Sequence, residues 1–70
     1  MTMAFYVVRE PLGSVIGVSK FSATRALDDA DLMGDIPRSV YVQLQKGAHE
    51  TPNTTYRGYT LKVENLASYD

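Results

Sequence analysis

The densest collection of oxygen ligands in the chain is the run Asp29-Ala30-Asp31-Leu32-Met33-Gly34-Asp35-Ile36. A calcium loop of the EF-hand type needs oxygens at its first, third and fifth positions, glycine at the sixth and a bidentate acid at the twelfth. Counted from Asp29, Asp31 and Gly34 fit, but Met33 stands at the fifth position and Val40 at the twelfth. Without the bidentate ligand, the run reads as a helix end with solvated acids, and no metal is expected. His49 is the only histidine and cysteine is absent, so a transition-metal site would have to be assembled from carboxylates around one imidazole. On a loop flanked by glycine and proline, that histidine is expected to be exposed.

Nucleophilic chemistry needs a serine or threonine beside a positioned base. Ser14, Ser19, Ser22 and Ser39 fall at turn, strand or cap positions, none in a G-x-S-x-G elbow. The five glycines are scattered singly, so no phosphate-cradling loop is present and no cofactor is expected. Paired carboxylates could serve glycoside chemistry only inside a cleft, which a domain this small rarely builds. Asn53-Thr54-Thr55 matches the glycosylation triplet, but the first residues lack the basic and apolar regions of a secretory leader. The expectation is a protein without catalytic activity.

Two clusters carry binding chemistry instead. Tyr56-Arg57-Gly58-Tyr59 joins the residue types most enriched at binding hot spots, which present wide, rigid surfaces with a polar handle. Asp28, Asp29, Asp31 and Asp35 make an acidic patch, suited to a basic partner and set against the helix dipole. They favour a regulatory or inhibitory protein that occludes a surface of another protein. Small regulators of this kind are often encoded by phages and other mobile elements. The alternative is a module for single-stranded nucleic acid, with Tyr41 and Tyr56 stacking on bases while Arg57, Lys62 and Lys46 meet phosphates.

The elements that must position these residues follow from local pattern. Ala4 to Arg9 is aromatic and β-branched; Glu10 to Ser14 holds turn chemistry at Pro11 and Gly13; Val15 to Lys20 resumes a strand. These residues predict a hairpin, with Gly17 marking a bulge or a close backbone approach. Ser22 is a helix N-cap, and Ala23, Ala26, Leu27, Ala30 and Met33 form one helical stripe ended by Gly34 and Pro37. Ser39 to Gln45 and Tyr56 to Glu64 alternate with period two and read as strands, joined by a polar loop at 46–55 and followed by a tail at 65–70.

The expected fold is α+β in the order β-β-α-β-β: an antiparallel sheet of about four strands with one helix on one face. Its opposite face would carry Tyr41, Gln43, Gln45, Thr60 and Lys62. An edge strand near Ala4 to Val8 would then be free to pair with a second copy of the chain.

With 70 residues there is room for one domain, and 44% hydrophobic content argues against disorder. A net charge of −1 is too small to create a strong field over the whole molecule. No apolar stretch approaches the roughly 20 residues of a membrane span, and a cytoplasmic address is expected.

Overall fold

The first hairpin forms where its residues require it. In a computed structural model that describes residues 3–48 and 53–66, β1 (Met3–Arg9) pairs antiparallel with β2 (Val15–Ser19). Gly13 takes a φ of +99°, and its amide donates to the Glu10 carbonyl at 2.9 Å. The Glu10 carboxylate accepts from the Ser14 amide at 2.8 Å, closing the turn from the other side.

α1 (Ala23–Leu32) is bounded by the caps its sequence contains. The Ser22 hydroxyl accepts from the Arg25 amide at 3.1 Å. At the other end Gly34, at φ +73°, donates to the Asp31 carbonyl and Asp35 donates to the Ala30 carbonyl. This reciprocal pair is a Schellman motif, which satisfies carbonyls that the helix would otherwise leave orphaned.

Residues 39–45 are helical, contrary to the expected strand. α2 (Arg38–Ala48) starts directly after Pro37, whose carbonyl accepts from the Tyr41 amide at 3.0 Å. Val40, Tyr41 and Leu44 are buried together, with Ile36 before them and Ala48 packed alongside. That is helical spacing; the alternating pattern would have buried Val42, which is exposed, and exposed Tyr41. Tyr41, Gln43 and Gln45 therefore belong to a helix and not to a sheet face.

The fourth strand comes from dividing the last apolar run. β3 (Thr54–Tyr56) and β4 (Tyr59–Leu66) pair antiparallel around Arg57-Gly58, both at positive φ, +51° and +84°. Two such residues meet the requirement of a type I′ hairpin turn. Both ends of the expected loop at 46–55 belong to elements: Lys46 to Ala48 close α2 and Thr54 opens β3, while residues 49–52 lie outside the described ones. Of the expected tail, Asn65 and Leu66 pair with Ala4 and Met3, and residues 67–70 lie outside the description.

The observed order is β-β-α-α-β-β, an α+β fold with one four-stranded antiparallel sheet ordered β2-β1-β4-β3. β1 is interior, so Ala4 to Val8 is not the open edge; β2 and β3 are the edge strands. Both helices cover the same face. There Tyr6, Val8, Tyr59 and Leu61 meet Ala26, Leu27, Ala30, Val40, Tyr41 and Leu44. α1 lies close on β2, because a Cβ on Gly17 would stand 2.8 Å from the Ala30 amide nitrogen and closer still to the Ala26 carbonyl. α2 presses on β3 in the same way, since a Cβ on Gly47 would stand 2.9 Å from Thr54 Cβ. No helix among the described residues is long and apolar enough to cross a membrane.

Candidate nucleic-acid interface

The exposed residues of α2 fall in one stripe. Arg38, Ser39, Val42, Gln43 and Lys46 face water, at steps of one, three, one and three residues. These spacings keep the five side chains on one side of a helix. The stripe holds two cations, an amide, a hydroxyl and a branched methyl group, and α2 contains no acidic residue. Its reverse side, Val40, Tyr41 and Leu44, is locked into the core, so the stripe has a fixed orientation.

The acids of α1 are bonded to neighbouring elements. Tyr41 donates its phenolic proton to Asp28 at 2.5 Å, and the Val18 amide donates to Asp29 at 3.2 Å. Arg38 donates from Nη2 to Asp31 at 3.3 Å, and its guanidinium lies 5.0 Å above the Tyr41 ring. Three of the four carboxylates of the expected acidic patch thus brace α1 against α2 and β2. Asp35 stands exposed just beyond the helix. The hydrogen bond from Tyr41 to Asp28, aided by burial, raises the phenol above its ordinary pKa, so it keeps its proton.

The other expected contact residues are scattered. Tyr56 is half-buried against the core under the Arg57 guanidinium, which lies 5.5 Å from its ring. Lys62 is exposed on the opposite sheet face, in register with Val7. Tyr41 lies beneath α2, so the stacking surface of Tyr41, Tyr56 and Lys62 is not assembled. His49 lies outside the described residues. Asn53 accepts from the Val63 amide at 3.1 Å, a role in the sheet for the first residue of the glycosylation triplet.

Two features escape a linear reading. Arg9 and Glu64 form a bidentate pair, both bonds at 2.9 Å, and Arg9 also donates to the Gly13 carbonyl at 2.6 Å. Arg9 stands opposite Thr60 and Glu64 opposite Phe5, so the pair reaches across Val7, which is fully buried on the helix-free face. The hydrogen bonds that Arg9 donates hold the Glu64 carboxyl below its ordinary pKa, and the same bonds raise that of the Arg9 guanidinium. The second feature is an open groove of about 700 Å³ between β1, β2 and α1, lined by Met3, Phe5, Phe21, Arg25 and Leu32 among others. Phe21 and Leu32 are 66% and 85% exposed there, and Lys20 and Arg25 flank the Phe21 ring. Among the described residues, no group of three potential metal ligands comes together. No family model, curated protein or solved structure matches this chain.

Proposed function

We propose that this chain is a non-enzymatic binding module that contacts double-stranded nucleic acid through the exposed face of α2. One observation carries the proposal: an acid-free stripe of Arg38, Ser39, Val42, Gln43 and Lys46 on the second of two helices joined by a short, glycine-containing turn. In helix-turn-helix modules the second helix enters the major groove and the residues near its start reach base edges. Arginine and lysine suit guanine, glutamine suits adenine, serine accepts or donates to several edges, and a branched methyl group packs on thymine. Asp28, Asp29 and Asp31 keep their charge while bonded to Tyr41, the Val18 amide and Arg38, so duplex binding rests on the local cations of the stripe and not on the net charge of −1.

Fluorescence anisotropy with a pool of random duplexes at low salt tests the proposal. Non-specific affinity of roughly 1–100 µM is expected, falling steeply as salt rises. Lys46→Ala is expected to weaken binding to all sequences alike and to reduce the log–log salt slope by about 1. Absence of binding at about 100 µM protein in low salt would retire the proposal.

The second reading, a regulator that occludes a protein surface, is favoured by the groove and its exposed Phe21 and Leu32. Scattered apolar side chains are ordinary on small proteins, whereas a continuous patch beside a groove marks contact surfaces. Here Phe21→Ser with Leu32→Ser should abolish capture of a protein partner and leave duplex binding intact. Duplex binding lost with capture retained would reverse the ranking of the two readings.

A further inference from the structure

Among the described residues, Asp31 is the one carboxylate bonded to the stripe, through Arg38. An acid beside a polyanion normally weakens binding, so its effect turns on what it does to the arginine. Arg38 is the first residue of α2, and its side chain is 70% exposed. Its guanidinium is held on two sides, by Asp31 at 3.3 Å and by the Tyr41 ring at 5.0 Å. Both supports are themselves fixed. The Tyr41 hydroxyl is bound to Asp28, and Asp31 sits in the last turn of α1, with its carbonyl in the Schellman motif. A guanidinium carries five N–H donors in a rigid fork, and the bond to Asp31 uses one of them.

We propose, resting on the duplex-binding reading above, that Arg38 is the specificity-determining residue, reading guanine, and that Asp31 is the positioning residue that aims it. The fork remaining after the Asp31 bond matches the O6 and N7 acceptors of guanine in the major groove, which accept a bidentate pair. An arginine already confined by an aromatic face and a carboxylate loses less side-chain freedom on binding than one loose in solvent. Asp31 therefore strengthens recognition of the correct site while opposing non-specific attraction. Removing its charge is expected to move the two in opposite directions.

The experiment selects preferred duplexes from a pool with randomised central positions. It then titrates the wild type, Asp31→Asn and Arg38→Lys against a selected duplex and against the same duplex with its preferred guanine replaced by adenine. The wild type is expected to prefer guanine by about ten-fold or more. Asp31→Asn should weaken binding to the selected duplex by about three- to ten-fold while binding the adenine duplex as well as, or better than, the wild type. Arg38→Lys should erase the guanine preference with an unchanged salt slope, since it keeps the charge and loses the fork. The Arg38–Asp31 pair is exposed, so both variants are expected to melt near the wild-type temperature, which circular dichroism checks.

If Asp31→Asn tightens binding to both duplexes equally, Asp31 is an electrostatic brake and the inference fails while duplex binding stands. A wild type that binds duplexes with no guanine preference overturns it as well. Failure of the wild type to bind any duplex removes the underlying reading itself.

Discussion

At Gly17 the missing side chain decides where α1 lies. β2 carries its glycine opposite Val8, and the Ala26 carbonyl and Ala30 amide of α1 occupy the space a methyl group would need. The alanine stripe of α1 contributes little apolar area, so its stability depends on this close seat against the sheet. Gly17→Ala meets backbone that cannot swing aside, and forcing an extra methyl group into such a contact typically costs about 1–3 kcal/mol. We expect a loss near the upper end, about 2–3 kcal/mol, read as a lower urea midpoint at unchanged m-value. A midpoint shift equivalent to less than about 0.5 kcal/mol would show that α1 does not rest on β2 at this point. The same variant should also weaken duplex binding beyond the fraction unfolded, because α1 carries Asp28 and Asp31, which brace Tyr41 and Arg38 of α2.

Among the elements, the β3–β4 hairpin holds the clearest local conflict. Arg57 adopts a φ of +51°, a conformation that costs an ordinary L-residue roughly 1–2 kcal/mol. Against this, the Arg57 guanidinium over Tyr56 returns about 0.5 kcal/mol at an exposed site. Asn-Gly is the preferred pair for this turn, so Arg57→Asn is expected to stabilise by about 0.5 kcal/mol, net of the lost ring contact. For a domain this small, that corresponds to a rise in thermal midpoint of roughly 2–4 °C by calorimetry. Arg57→Val should lower it, as a β-branched residue tolerates positive φ poorly. An arginine in such a turn also explains why residues 56–64 read as one unbroken strand: neither Asn nor Asp marks the reversal. By contrast, Pro11 with Gly13 and Ser22 with Gly34 are punctuation that acts within a few residues, and the first hairpin and α1 were legible from them. The helix at 38–48 was not. Val40 and Leu44 fit both periods, and valine and tyrosine at 40–42 favour strands. What decides between them is tertiary: β4 and β3 complete the sheet, and only a helix lets Tyr41 face Asp28, thirteen residues earlier. The α2 stripe was hidden by the same ambiguity, since its five residues share a side only at helical pitch.

At the scale of the whole molecule, stability should follow pH through groups that tie separate elements together. Arg9–Glu64 joins the two central strands across the helix-free face, and Tyr41–Asp28 joins the two helices on the other. Glu64 is held below its ordinary value by Arg9, so the unfolded chain takes up the proton more readily than the folded one. Its stabilisation is therefore complete above about pH 4.3 and is lost as pH falls through the lower, folded value. Glu10 acts in the same sense through the Ser14 and Leu12 amides. Tyr41 is shifted upward, first by Asp28 and then by burial, so its contribution is intact below about pH 10 and lost as pH rises through the folded value. Urea midpoints measured across pH should form a plateau with an acid limb and an alkaline limb. Glu64→Gln should lower the plateau by about 1 kcal/mol or less, because the pair is partly exposed, and make the acid limb shallower. It should not abolish that limb, since Glu10 remains. Tyr41→Phe should flatten the alkaline limb and leave the acid one as it was. If Glu64→Gln and the wild type fall in parallel below pH 4, the bridge over Val7 adds nothing to folding, and the two central strands are held by their ladder and by the helices alone.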